Sequence, residues 1–204
     1  MNKNLKKVIH ELKHHAPFTA TASIIAIITT LFLIQIIKLN INEEAFHSIH
    51  LLHLLASSFV SAAIFYKYKK NPWLSILVGV ASAIIIGSIS DTIFPWLGGR
   101  ILALPPSFHL PILEIPLGVI SISVAGSFLG IWLKKTKFPH TLHVFLSAFA
   151  SLFYLLTFSK NLTPISLIIS IIIVFIAVII PCCVSDIIMP FLFLKQDLKQ
   201  CPCH

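Results

Sequence analysis

Long apolar runs separated by short polar joints make up almost the whole chain, and their lengths are the first guide to the fold. Six such runs lie at 17–38, 46–66, 73–95, 112–133, 140–158 and 164–194. Each supplies the roughly 20 residues with which an α-helix crosses about 30 Å of hydrocarbon. The sixth run exceeds one span and contains Pro181 and Pro190, so it reads as a kinked or broken helix. The first follows Lys3, Lys6, Lys7 and Lys13 and precedes no small-residue cleavage site, which predicts a retained anchor rather than a cleaved signal. Ahead of it, residues 5–15, with His10, His14 and His15, form an amphipathic stretch suited to a membrane surface.

Composition agrees with these runs. Of 204 residues, 57% are hydrophobic and 11% charged, too few charges to cover a water-soluble globule of this size. A soluble enzyme, a nucleic-acid binder and a disordered tail are all excluded, despite a formal charge of +8. The basic residues belong at a lipid surface, and their distribution sets the topology. Twelve Lys residues, in the N-terminal segment, at Lys67, Lys69 and Lys70, at Lys134, Lys135 and Lys137, and at Lys195 and Lys199, fall on one side. Only Lys38, Arg100 and Lys160 fall on the other, beside Glu43 and Glu44. The positive-inside rule therefore predicts a multi-pass plasma-membrane (inner-membrane) protein with both termini cytoplasmic. Trp73, Trp96 and Trp132 sit at predicted helix ends, where an amphipathic ring is accommodated best.

A repeat emerges from the polar residues inside the spans. His50-x-x-His53-x-x-x-Ser57-x-x-x-Ser61 in span 2 recurs as His140-x-x-His143-x-x-x-Ser147-x-x-x-Ser151 in span 5, offset by 90 residues. Ser90-Asp91-x-x-x-Pro95 in span 3 recurs as Ser185-Asp186-x-x-x-Pro190 in span 6, offset by 95, and His15-x-Pro17 recurs as His109-x-Pro111, offset by 94. Three spans per repeat invert the second half relative to the first, so the sequence predicts an all-α integral membrane protein of six helices arranged as a 3+3 inverted-topology repeat. Its segments are a cytoplasmic basic, His-containing stretch at 1–16, repeats at 17–99 and 100–194, and a cytoplasmic Cys/His tail at 195–204. Many secondary transporters share this architecture, but architecture alone licenses no function.

The chemistry lies in the repeated residues. Histidines three apart share one helix face, and the serines continue that stripe down the span. A carboxylate within a span costs about 2.5–3.5 kcal/mol on insertion scales, which marks Asp91 and Asp186 as functional candidates. Pro95 and Pro190 cannot donate to the carbonyl four residues earlier, so helices 3 and 6 are expected to break there and leave the Asp91 and Asp186 carbonyls unpaired. Gly79, Ala83 and Gly87 lead to Asp91 on a small-residue stripe that is expected to face other helices.

Span direction gathers His47, His50, His53, Asp91, His109 and Glu114 toward the outer half, and His15, His140, His143 and Asp186, with Cys182 and Cys183, toward the inner half. Two separate clusters across the midplane are the expectation. Imidazole plus carboxylate suits zinc, manganese, iron, cobalt or nickel, as substrate or bound ion, better than calcium or magnesium. Cys201, Cys203 and His204 in the tail are further candidate ligands, cytosolic and therefore reduced.

The leading expectation is a small secondary transporter rather than an enzyme, for a divalent transition metal, with proton antiport as one mode of coupling, or for protons coupled to another solute. The alternative is a membrane-embedded metalloenzyme, either a His-box oxygenase or a zinc hydrolase; such enzymes collect their ligands at one face, whereas here the ligands divide evenly. A third is a structural partner packing through Gly126-x-x-x-Gly130, and a homo-oligomer is compatible with each.

Overall fold

Helix caps written into the polar joints fix where each span begins and ends. A computed structural model describes residues 3–38, 40–102, 104, 106–134, 137–159 and 170–181, without the side chains of 3–15 and 137–140. Asn42 accepts the backbone N–H of Ala45 at 3.0 Å and opens α2 (Glu43–Lys69). Asn71 does the same for Leu74 at 3.1 Å and, with Pro72, opens α3 (Pro72–Ser88). Glu43 and Glu44 in the first turn of α2 and Lys67 and Lys69 in its last both complement the helix dipole.

The remaining elements are α1 (Lys3–Gln35), a π-helical turn (Ile89–Ile93), α4 (Phe94–Ile101), α5 (Pro111–Glu114), α6 (Pro116–Leu133) and α7 (Lys137–Phe158). A shorter apolar helix, α8, runs Ser170–Pro181. Five described helices are long and apolar enough to cross a membrane: Ala16–Gln35, Glu43–Lys69, Pro72–Ile101, Pro116–Leu133 and Thr141–Phe158. Their lengths and composition are those of a multi-pass helical membrane protein. Of the expected sixth span only α8 falls within the described residues, and Pro190 lies outside them.

Three boundaries differ from expectation. The stretch 5–15 continues into span 1 as one helix, α1, with Pro17 inside it. Span 4 is divided at Ile115 by Pro116, leaving the four-residue α5 ahead of α6. Span 3 does not break before Pro95: the π turn absorbs the proline, and the helix runs on to Ile101.

At the core of the bundle, α2 packs against α3, α6 and α7, while α1 leans on α7. Small residues set the closest approaches. A Cβ at Gly126 would collide with the Ser58 hydroxyl and the Leu55 carbonyl, and one at Gly130 with the Phe59 carbonyl. The Gly126/Gly130 face thus serves α2 of the same chain rather than a second copy. The expected stripe behaves likewise, since Ala83 is buried and a Cβ at Gly79 or Gly87 would strike Ala62 or Leu54.

As a result α2 and α7 are the most enclosed spans and α1 and α6 the least. Ile24, Ile25, Ile28 and Phe32 on α1, and Leu117, Val124, Phe128 and Trp132 on α6, are exposed, as lipid-facing positions are. The basic loops share one end of the bundle, because Lys70 and Lys134 both lie over the Tyr66 ring, at 5.5 and 6.0 Å. Arg100 lies at 4.8 Å over Trp96 on the span that leads away from that end.

Candidate metal centre

Asp91 is fully buried, on the π turn about 15 Å before the Ile101 end of a helix about 45 Å long. Its carboxylate meets donors from three elements. The Nδ1 atoms of His50 and His53, one turn apart on α2, lie 2.8 and 2.6 Å from Oδ2. The hydroxyls of Ser90 and Ser147 donate to Oδ1 at 2.7 and 3.2 Å. A carboxylate has about four lone-pair positions, and each of them is taken here.

The π turn is what aims this carboxylate. The Phe94 N–H bonds the Ile89 carbonyl five residues back, so the next carbonyl in that register, Ser90, awaits the N–H of residue 95. Residue 95 is proline and has none. The Ser151 hydroxyl donates to the Ser90 carbonyl instead, at 3.0 Å. The carbonyl thus served from the side is that of Ser90, one residue before the Asp91 carbonyl that the sequence singled out. A side chain of α7 thereby repairs the backbone of span 3.

His143 is placed differently from expectation. Its ring stacks on that of His53, with centroids 4.8 Å apart and planes 13° from parallel. With Ser147 and Ser151 it belongs to the surroundings of Asp91 and not to a separate cluster at the far face. The expectation erred because span direction ranks residues by depth but says nothing of how far two antiparallel helices overlap. Phe46 completes the wall, stacked on His50 at 5.8 Å and edge-on to Tyr154 and Phe158 at 5.4 Å.

Several candidates fall elsewhere. Ser57 is buried below His53 and its hydroxyl has no partner among the described residues; Ser61 donates to Ser82 at 3.3 Å. His47, His109 and Glu114 meet at the Glu43 end of α2, with His47 Nε2 3.1 Å and His109 Nδ1 2.7 Å from the Glu114 carboxylate. His15 and His140 lie on helices, but their side chains are outside the described residues. So are Cys182, Cys183, Ser185, Asp186, Pro190, Cys201, Cys203 and His204 altogether. Sequence reasoning missed Tyr154, whose hydroxyl takes the His109 N–H at 3.3 Å and donates to the Ser107 carbonyl at 3.0 Å. A tyrosine within an apolar span needs a polar partner, and that was the available signal.

The buried donors fit a cation. A ring nitrogen of His50, a ring nitrogen of His53 and a carboxylate oxygen of Asp91 all lie within 4.8 Å of one another. A tetrahedral ion with bonds of about 2.0–2.1 Å wants its ligand atoms about 3.3 Å apart, so the present 2.6 and 2.8 Å contacts need to open by about 0.5–0.7 Å. Nε2 of His53 is buried and has no hydrogen-bond partner among the described residues. The chain matches no protein-family model, no curated protein and no solved structure.

Proposed function

We propose that this protein is a small secondary transporter that moves a divalent transition-metal cation across the membrane, with His50, His53 and Asp91 as the transport site. The observation that carries the reading is the fully buried Asp91 carboxylate held by two imidazoles inside a bundle of membrane-length helices. Such a group is costly in a bilayer and marks a functional site by default. Its nitrogen and oxygen donors favour zinc, manganese, iron, cobalt or nickel. Cation and protons compete for the same imidazole lone pairs, so exchange of one for the other is the coupling we propose.

The inverted repeat belongs to this proposal. His53 and His143 are equivalent positions of the two motifs, and residues close to a pseudo-two-fold axis meet their own counterparts, as these rings do. The repeat likewise maps Ser147 onto Ser57 and Asp91 onto Asp186, which makes Asp186 the second carboxylate of the carrier. Rocking of one half against the other would expose the site alternately. By the charge asymmetry of the loops, the Lys70 and Lys134 end faces the cytoplasm.

Proteoliposomes carrying the purified protein under an imposed pH gradient test the reading with zinc, manganese, iron, cobalt and nickel. Flux of at least one ion is expected, lost in Asp91→Asn and in His50→Ala/His53→Ala. Unchanged pH-dependent flux in both variants would remove the carrier mechanism. One observation favours a second reading, the membrane-embedded metalloenzyme: His50, His53 and His143 stand together rather than divided between faces. A protein that retains one metal through prolonged dialysis and carries no ion across the panel would be that enzyme.

A further inference from the structure

One helical turn above His50, at the Glu43 end of α2, stands a second group of the same chemistry. His47 Nε2 approaches Oε2 of Glu114 at 3.1 Å, and His109 Nδ1 approaches Oε1 at 2.7 Å. Glu43, His109 and Glu114 offer three ligand atoms within 4.8 Å of one another. Unlike the buried group, this one is open: the side chains of His109 and Glu114 are 29% and 31% exposed, and Glu43 is exposed.

Three separate segments converge to make it: the first turn of α2, the loop through His109, and α5. The loop is held down rather than draped. Tyr154 joins the His109 N–H to the Ser107 carbonyl, Ser107 N–H bonds the Phe158 carbonyl at 3.0 Å, and the His109 ring stacks on Phe158 at 4.1 Å. These contacts fix the His109 ring beside Glu114. The group also continues the histidine stripe, because His47, His50 and His53 follow each other at three-residue spacing, about 4.5 Å of rise per step. Phe46 lies against both His47, at 5.6 Å, and His50, at 5.8 Å.

We propose that His47, His109, Glu114 and Glu43 form a surface-accessible capture site for a divalent transition-metal cation, from which the buried His50/His53/Asp91 site is loaded. The proposal rests on the buried site being a cation site, and the experiment separates the two. The surface group has two carboxylates and two imidazoles and the buried one a single carboxylate and two imidazoles, so an ion passes between sites keeping the same kinds of ligand. Negative charge at the mouth raises the local cation concentration and the rate of loading.

Equilibrium dialysis of the purified full chain, stripped with chelator and titrated with zinc or cobalt, counts the ions. Two are expected for the wild type, one for Glu114→Gln/His109→Gln, one for Asp91→Asn and none when all three substitutions are combined. Stopped-flow loading of the buried site should slow by about 10-fold or more in Glu114→Gln/His109→Gln. His47→Gln, which leaves the Tyr154 anchor untouched, should slow it in the same direction, and circular dichroism melts check that each variant is folded. Two ions in a folded Glu114→Gln/His109→Gln protein, or loading at the wild-type rate, would overturn the capture site while leaving the buried one standing. Loss of one ion from that variant with none lost from Asp91→Asn would instead overturn the buried site.

Discussion

The two histidine–carboxylate groups on α2 differ in what holds them more than in what they contain. At His50 and His53 the carboxylate is enclosed, its four acceptor positions are filled, and its backbone is secured by a hydroxyl from another helix. At His47 the carboxylate stands on a four-residue helix, faces solvent, and takes contacts from two imidazoles and the Leu110 N–H at 3.3 Å. The same kinds of donor are therefore set in opposite surroundings, one group enclosed and desolvated and the other open to solvent. Burial raises the stakes of every partner, since a donor stranded inside has no water to turn to.

The largest break in that contrast is expected from Asp91→Ala. Two imidazoles and two hydroxyls lose their acceptor in a dry site, a loss of about 3–5 kcal/mol in stability. Reversible unfolding in mixed detergent measures it, and a change below 1 kcal/mol would show that water reaches the group. Ser151→Ala comes next. It strands the Ser90 carbonyl and should cost about 1–2 kcal/mol. Because the Ser90 hydroxyl and Asp91 ride on the same turn, metal affinity should fall about 10–100-fold with it. An affinity unchanged by Ser151→Ala would mean that the π turn holds its shape without that bond.

Tyr154→Phe sharpens the comparison from the other side. It removes the hydroxyl that ties the His109 loop to α7, and should cost about 1 kcal/mol while weakening zinc capture at the mouth and sparing the buried ion. The smallest stability effect is expected from Glu114→Gln, below about 1 kcal/mol, because exposed ion pairs contribute little. Its signature is the loss of an ion, not of the fold.

Much of the molecule was legible because it is set by local rules. Run length and the clustered lysines gave helices of membrane length, with the Lys70 and Lys134 ends together. Three-residue spacing gave the shared face of His50 and His53, and the cost of a carboxylate in a span singled out Asp91. Harder to see was the continuation of span 3 through Pro95. A proline removes one N–H, but whether a helix breaks or shifts register depends on what else can bond the stranded carbonyl. Here Ser151 does so, and Ser151 comes from a helix some sixty residues later. The matching His-x-x-His spacing of spans 2 and 5 did not foretell the stacking of His143 on His53, because that depends on which helix faces pack.

By itself, then, the sequence determined five helical segments of membrane length and the face shared by the paired histidines, because caps, spacing and apolar length act within a few turns of one chain. Only the tertiary structure decided that α2 lies against α7, that His143 stacks on His53, and that Ser147 and Ser151 complete the surroundings of Asp91. Those outcomes depend on how closely helices approach and how far they overlap, which backbone contacts such as Gly126 against Leu55 and Gly130 against Phe59 fix, and no periodicity along one helix encodes the depth at which a neighbour will stop.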